Sequence, residues 1–132
     1  MPDDMRKLRQ AILYKDEVTV RQLLGKMSSS QINTPSEAGS APLHWASTYN
    51  NARAVLALLQ TPGVDVNVQD DDGLTAVVLA VQYCNVEVLE LLLQDHRVEL
   101  SLELEEQVGT YKGSQQEKRD VLRMIQKVGR RI

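Results

Sequence analysis

Phenylalanine is missing from this 132-residue chain, which has one tryptophan, four tyrosines and a single cysteine. Hydrophobic residues still make up 42% of it, enough for a core, but an aliphatic one built from Leu, Val and Ala. Side chains of that size suit thin helices that approach one another closely. The lone thiol, Cys84, permits no internal disulfide and points to a reducing compartment. No apolar run approaches the roughly 18 residues of a membrane span. Met1-Pro-Asp-Asp-Met5 places acids where a secretory signal has bases followed by an apolar stretch. The expectation is a soluble cytosolic or nuclear protein. Histidine is scarce as well: His44 and His96 stand alone, and no Cys/His cluster has metal-ligand spacing. No glycine-rich phosphate loop and no nucleophile with its base are visible. The expectation is a non-enzyme with no cofactor and no metal.

What the chain does have is a unit written twice. Gly39-Ser-Ala-Pro-Leu-His-Trp-Ala-Ser-Thr-Tyr49 returns 34 residues later as Gly73-Leu-Thr-Ala-Val-Val-Leu-Ala-Val-Gln-Tyr83. Val55 to Leu59 and Val88 to Leu93 follow in the two copies, and then the tails Val64-Asp-Val-Asn67 and Val98-Glu-Leu-Ser101. A fixed period in the range of about 20–50 residues marks a stacked repeat architecture. Such folds mainly present surfaces to other proteins.

Ala41-Pro-Leu-His-Trp-Ala46, Leu58-Leu59, Asp65-Val-Asn67 and Asp71-Asp72-Gly73 resemble the ankyrin repeat. The second copy departs from the signature, since Thr75-Ala-Val-Val-Leu-Ala80 lacks its Pro and His. The resemblance implies an all-α solenoid of about four helix-turn-helix units with hairpin loops, the terminal ones degenerate. The units fall near 1–33, 34–67, 68–101 and 102–132, within one domain spanning 1–132. It also implies that His44 ties backbone between units.

Apolar spacing predicts two helices within 5–27, then pairs near 42–49 and 52–60 and near 76–83 and 86–95. A long polar link over 28–41 and a second over 61–74 separate them. Thr34-Pro35 and Thr61-Pro62 read as turn formers, and Asp70-Asp71-Asp72-Gly73 as turn chemistry rather than a calcium loop. Residues 98–105 alternate apolar and polar, the pattern of an extended hairpin arm. Gly109 and Gly113 weaken the segment around 108–113, and a firm last helix is expected over 115–129.

Charge is segregated. Residues 65–106 carry eleven acids against one base, Arg97, whereas residues 107–132 carry seven bases and two acids. An acidic middle disfavours nucleic acid and favours a partner with a basic patch.

Aligning the units on Ala11, Ala46 and Ala80 places Tyr14, Tyr49 and Tyr83 at one repeat position. Equivalent positions form a row in a stack, and tyrosine supplies rigid amphipathic contact area. The resemblance puts that row on the concave side, together with Trp45 and the hairpin tip Asp70, Asp71, Asp72 and Leu74. These eight residues are the candidate partner-binding set; packing of each ring on the next unit is the competing reading for the tyrosines, and a core position is the competing reading for Trp45. The expected function is a non-catalytic adaptor or scaffold, monomeric alone. A stoichiometric inhibitor of an enzyme such as a kinase, or a regulatory fragment of a larger protein, is the alternative.

Overall fold

A computed structural model describes residues 3–36, 39–100 and 114–129 of the chain. Eight helices are formed there, with no strand among the described residues. Helix α1 (Asp3–Leu13) opens with two acids in its first turn and buries Met5, Leu8, Ala11 and Ile12 along one face. Asp16 then caps α2 (Glu17–Lys26), accepting from the Thr19 amide at 3.2 Å and the Thr19 hydroxyl at 2.6 Å. Those two bonds hold the Asp16 carboxyl below its ordinary range.

The link expected over 28–41 is not wholly irregular. Its serine run starts a short helix, α3 (Ser29–Asn33), through a capping box. The Gln31 amide donates to Ser28 Oγ at 3.1 Å, and the Ser28 amide donates to Gln31 Oε1 at 2.8 Å. The next pairs are α4 (Pro42–Thr48) with α5 (Ala52–Leu59), and α6 (Ala76–Gln82) with α7 (Val86–Gln94). Pro42 sits at the start of α4, where its missing N–H costs nothing. The last helix, α8, runs from Gln115 to Gly129, as the sequence predicts. The weak segment around 108–113 and residues 101–105 of the alternating stretch lie outside the described residues. Val98 and Leu100, at the start of that stretch, pack partly buried against the core.

Helices pair within each unit, α1 with α2, α4 with α5 and α6 with α7. Between units, α1, α4 and α6 form one row, and α2, α5, α7 and α8 the other. The core fills the space between the rows. Leu8, Ile12, Leu43, Leu58, Leu89 and Leu92 are fully buried there, each stabilising the fold by about 1.5–3 kcal/mol. Among the described residues no helix is long and apolar enough to cross a membrane.

Polar groups repeat with the same period as the apolar ones. Asn33 Nδ2 donates to the Gly63 carbonyl and Asn33 Oδ1 accepts from the Asp65 amide, both at 2.7 Å. One unit on, Asn67 makes the same pair of bonds with Arg97 and Glu99, both at 2.8 Å. Asn51 Nδ2 donates to the Ile12 carbonyl at 2.9 Å, and Asn85 Nδ2 likewise donates to the Ser47 carbonyl. These bonds satisfy buried or loop carbonyls that a stack of short helices would otherwise leave unpaired.

Candidate protein-binding face

Each of the three aligned tyrosines ends a helix of the first row. Tyr14 follows α1 directly, while Tyr49 and Tyr83 are the C-terminal caps of α4 and α6. The residue after each one turns left-handed: Lys15 at φ 58°, Asn50 at 54° and Cys84 at 50°. That turn reverses the chain into the second helix, and it leaves the preceding tyrosine at the outer end of its helix. Because α1 packs on α4 and α4 on α6, the three positions run across successive units.

Their environments differ. Tyr14 is 78% exposed and Tyr83 54% exposed. Tyr49 is half-buried against the core, and its hydroxyl accepts a long 3.4 Å hydrogen bond from Arg9 of α1. Leu13, beside Tyr14, is also exposed. Just beyond this edge lies a depression of about 350 Å³ lined by Lys15, Glu17, Asn50, Arg53 and Glu87 among others. Glu17 is held there by Arg53 at 2.8 Å and Arg21 at 3.3 Å, and the Arg53 bond leads in keeping its carboxyl below the usual range.

Trp45 belongs to the core. It is 5% exposed and packs with the buried apolar cluster, so its indole offers little surface to a partner. The same spacing that puts it on the helix facing the next unit turns it inward, since all of Pro42 to Ser47 is buried.

The acidic tip is built by its own backbone. Asp70 Oδ1 accepts from the amides of Asp72 at 2.9 Å and Leu74 at 2.8 Å, the pattern of a side-chain-mimicked turn. The Asp71 amide donates to the Gly39 carbonyl at 3.0 Å, docking this tip on the previous one. Gly39 sits at φ 85°, and a Cβ there would lie 2.3 Å from Asp71 Oδ2, so glycine is required on both counts. Asp71 and Asp72 remain exposed, and Leu74 is half-buried. The Leu74 carbonyl accepts from His44 Nε2 at 2.9 Å. His44 Nδ1 accepts from the Ala41 amide at 2.9 Å, so the hydrogen of this buried imidazole is on Nε2.

The tip precedes α6 and Tyr83 follows it. The acidic edge and the tyrosine row therefore stand at opposite ends of the first-row helices, about 10 Å apart, rather than side by side. Half-buried Val78 and Gln82 of α6 and Thr48 of α4 lie along the row between them. Among the described residues no cluster of His, Cys, Asp or Glu could hold a metal ion. The asparagine ladder was the feature sequence reasoning passed over. Its signal was available, since Asn33 and Asn67, like Asn51 and Asn85, are 34 residues apart.

Comparison with known proteins fits this architecture. Residues 8–103 match the family described as Ankyrin repeats (3 copies). An ankyrin repeat protein of Fowlpox virus (strain NVSL) is 42% identical over 60 residues, which are 46% of this chain and 30% of the relative. The chain thus spans less than a third of that relative's length. Ankyrin repeats are generally protein–protein interaction modules and generally non-catalytic.

Proposed function

We propose that this chain, which belongs to the ankyrin-repeat family, is a non-catalytic adaptor that binds a partner protein through the face formed by its first-row helices. The observation that carries this reading is the exposure of Tyr14 and Tyr83 at a repeat position shared with Tyr49. Large aromatic rings left in water at equivalent places cost the free chain apolar surface and return it as contact area on binding. Tyr49, steadied by packing and by Arg9, links the two exposed rings. At the far end of α6, Asp71 and Asp72 supply a negative edge, which suits a partner whose apolar contact lies about 10 Å from a basic patch. Trp45 supports this face from beneath.

A pull-down from cell lysate with wild type and a Tyr14→Ala/Tyr83→Ala variant tests the reading. Both rings are mostly exposed, so the variant should unfold within about 0.5 kcal/mol of wild type. Loss of a captured partner at unchanged stability supports the tyrosine row as the site. Capture that survives the substitution moves the site elsewhere, and a large stability loss returns the rings to a packing role.

A further inference from the structure

The first-row face carries charge of both signs, placed at opposite corners. Arg9 shares a repeat position with His44 and Val78, two residues before Ala11, Ala46 and Ala80. It is exposed, and its bond to the Tyr49 hydroxyl holds its guanidinium against the tyrosine of the next unit. Arg6 lies one turn earlier on the same stripe, but Asp3 pairs with it at 3.7 Å, so it adds little net charge. Arg9 has no ion-pair partner among the described residues. Neither have Asp71 and Asp72, both exposed on the tip before α6.

Helix α4 lies between α1 and α6, so the two corners are two helix spacings apart. Packed helices stand about 8–10 Å from one another and the tip adds a few ångströms along the axis, which separates Arg9 from Asp72 by about 20 Å. The face between them is apolar. Tyr49 and Val78 are half-buried against the core, and Leu74 is half-buried beside the tip.

We infer, on the footing that the first-row face is the partner site, that the partner lays a bipolar segment across it. An acidic residue of that segment meets Arg9, a basic residue meets Asp71 and Asp72, and apolar side chains lie between. Charge order selects this occupant over the others. A nucleic-acid strand or an anionic membrane brings one sign only and meets Asp71 and Asp72 with its phosphates. A wholly basic segment suits the tip and meets Arg9 with a like charge, and a wholly acidic one does the reverse. An extended segment rises about 3.3 Å per residue, so its acid and its base stand about six residues apart.

The test pans a phage library of random twelve-residue peptides on the whole immobilised chain. Enriched peptides should carry an acid toward one end, a base toward the other and apolar residues between. A fluorescently labelled peptide from that pool, followed by anisotropy, should bind Arg9→Glu at least about tenfold more weakly than wild type, and changing its acid to lysine should restore the affinity. Asp71→Lys/Asp72→Lys should act alike, with rescue when the base of the peptide is changed to glutamate. Arg9→Gln and Asp71→Asn/Asp72→Asn, with smaller losses, stand in for a reversed variant that loses its fold by circular dichroism. No enriched peptide, a pool without charge order, or a peptide indifferent to these substitutions overturns the proposal. The Tyr14→Ala/Tyr83→Ala variant then tells two failures apart. A peptide that it no longer binds leaves the tyrosine face standing without its charge order, and a peptide that it binds as wild type does removes the face as well.

Discussion

Replacing Asn51 tests how the stack is held together at its first joint. One side chain there does two tasks. Its Oδ1 accepts from the Ala54 amide at 3.1 Å and starts α5, while its Nδ2 donates to the Ile12 carbonyl at 2.9 Å in the preceding unit. Asn51→Ala removes both. The lost cap costs about 1 kcal/mol. The Ile12 carbonyl keeps only its long 3.3 Å bond from the Lys15 amide, and losing the better donor costs about 0.5–1.5 kcal/mol more. The sum, about 1.5–2.5 kcal/mol, is a sizeable part of the roughly 5–15 kcal/mol that holds a domain folded. It should lower the melting temperature by about 5–10 °C.

Asn51→Asp separates the two tasks. A carboxylate caps a helix as well as an amide does, but it has no hydrogen to give the Ile12 carbonyl and repels it instead. The Asp variant should therefore lose about 1–3 kcal/mol, from the missing inter-unit bond and from the carboxylate buried against that carbonyl. Urea unfolding followed by far-UV circular dichroism measures both variants. Hydrogen exchange adds the location, because a weakened joint frees α1 and α2 to open before the rest. If Asn51→Asp is as stable as wild type, the inter-unit bond contributes nothing and the reasoning fails.

Two further outcomes follow from single side chains. The buried Ser47 hydroxyl has no hydrogen-bond partner among the described residues, so Ser47→Ala should raise stability by about 1 kcal/mol in urea unfolding; a loss of stability would mean the hydroxyl is satisfied in solution. Asp95 is held below the ordinary carboxylate range, chiefly by its bonds from the Arg97 side chain at 2.7 and 3.0 Å. A depressed folded value means that its contribution is complete above the unfolded value near 3.8 and disappears as pH falls through the folded one. Asp95→Asn should flatten the stability profile below about pH 4 relative to wild type, and identical slopes there would refute the pairing.

The period was legible in the sequence because apolar and glycine positions recur with it. Gly39 and Gly73 both take positive φ, at 85° and 79°, where the alignment pairs them. Helix α3 was not legible, since a run of serines reads as linker until Gln31 is seen three residues after Ser28, where a capping box needs it. The ladder of Asn33 and Asn67 escaped for another reason. Asparagine in a loop reads first as a turn former, and only a fold that brings Gly63 and Arg97 alongside shows where its amide goes. Trp45 stood open between groove and core because a large aromatic with a polar N–H is equally at home in both. What decided it was the helix around it, buried from Pro42 through Ser47.

A residue that recurs in a repeat protein either does work for the stack or does not, and the two kinds separate here. Asn51 and Asn85 recur because each reaches back to a carbonyl of the preceding unit. Gly39 recurs as Gly73 because the chain turns left-handed at both. The tyrosine position makes no comparable demand. The turn after it is carried by the backbone of Lys15, Asn50 and Cys84, whatever precedes them. Of the three rings only Tyr49 is partly taken up by packing, and Tyr14 and Tyr83 leave most of their area in water. Stacking therefore explains one tyrosine, and the proposed partner face rests on the two that it does not.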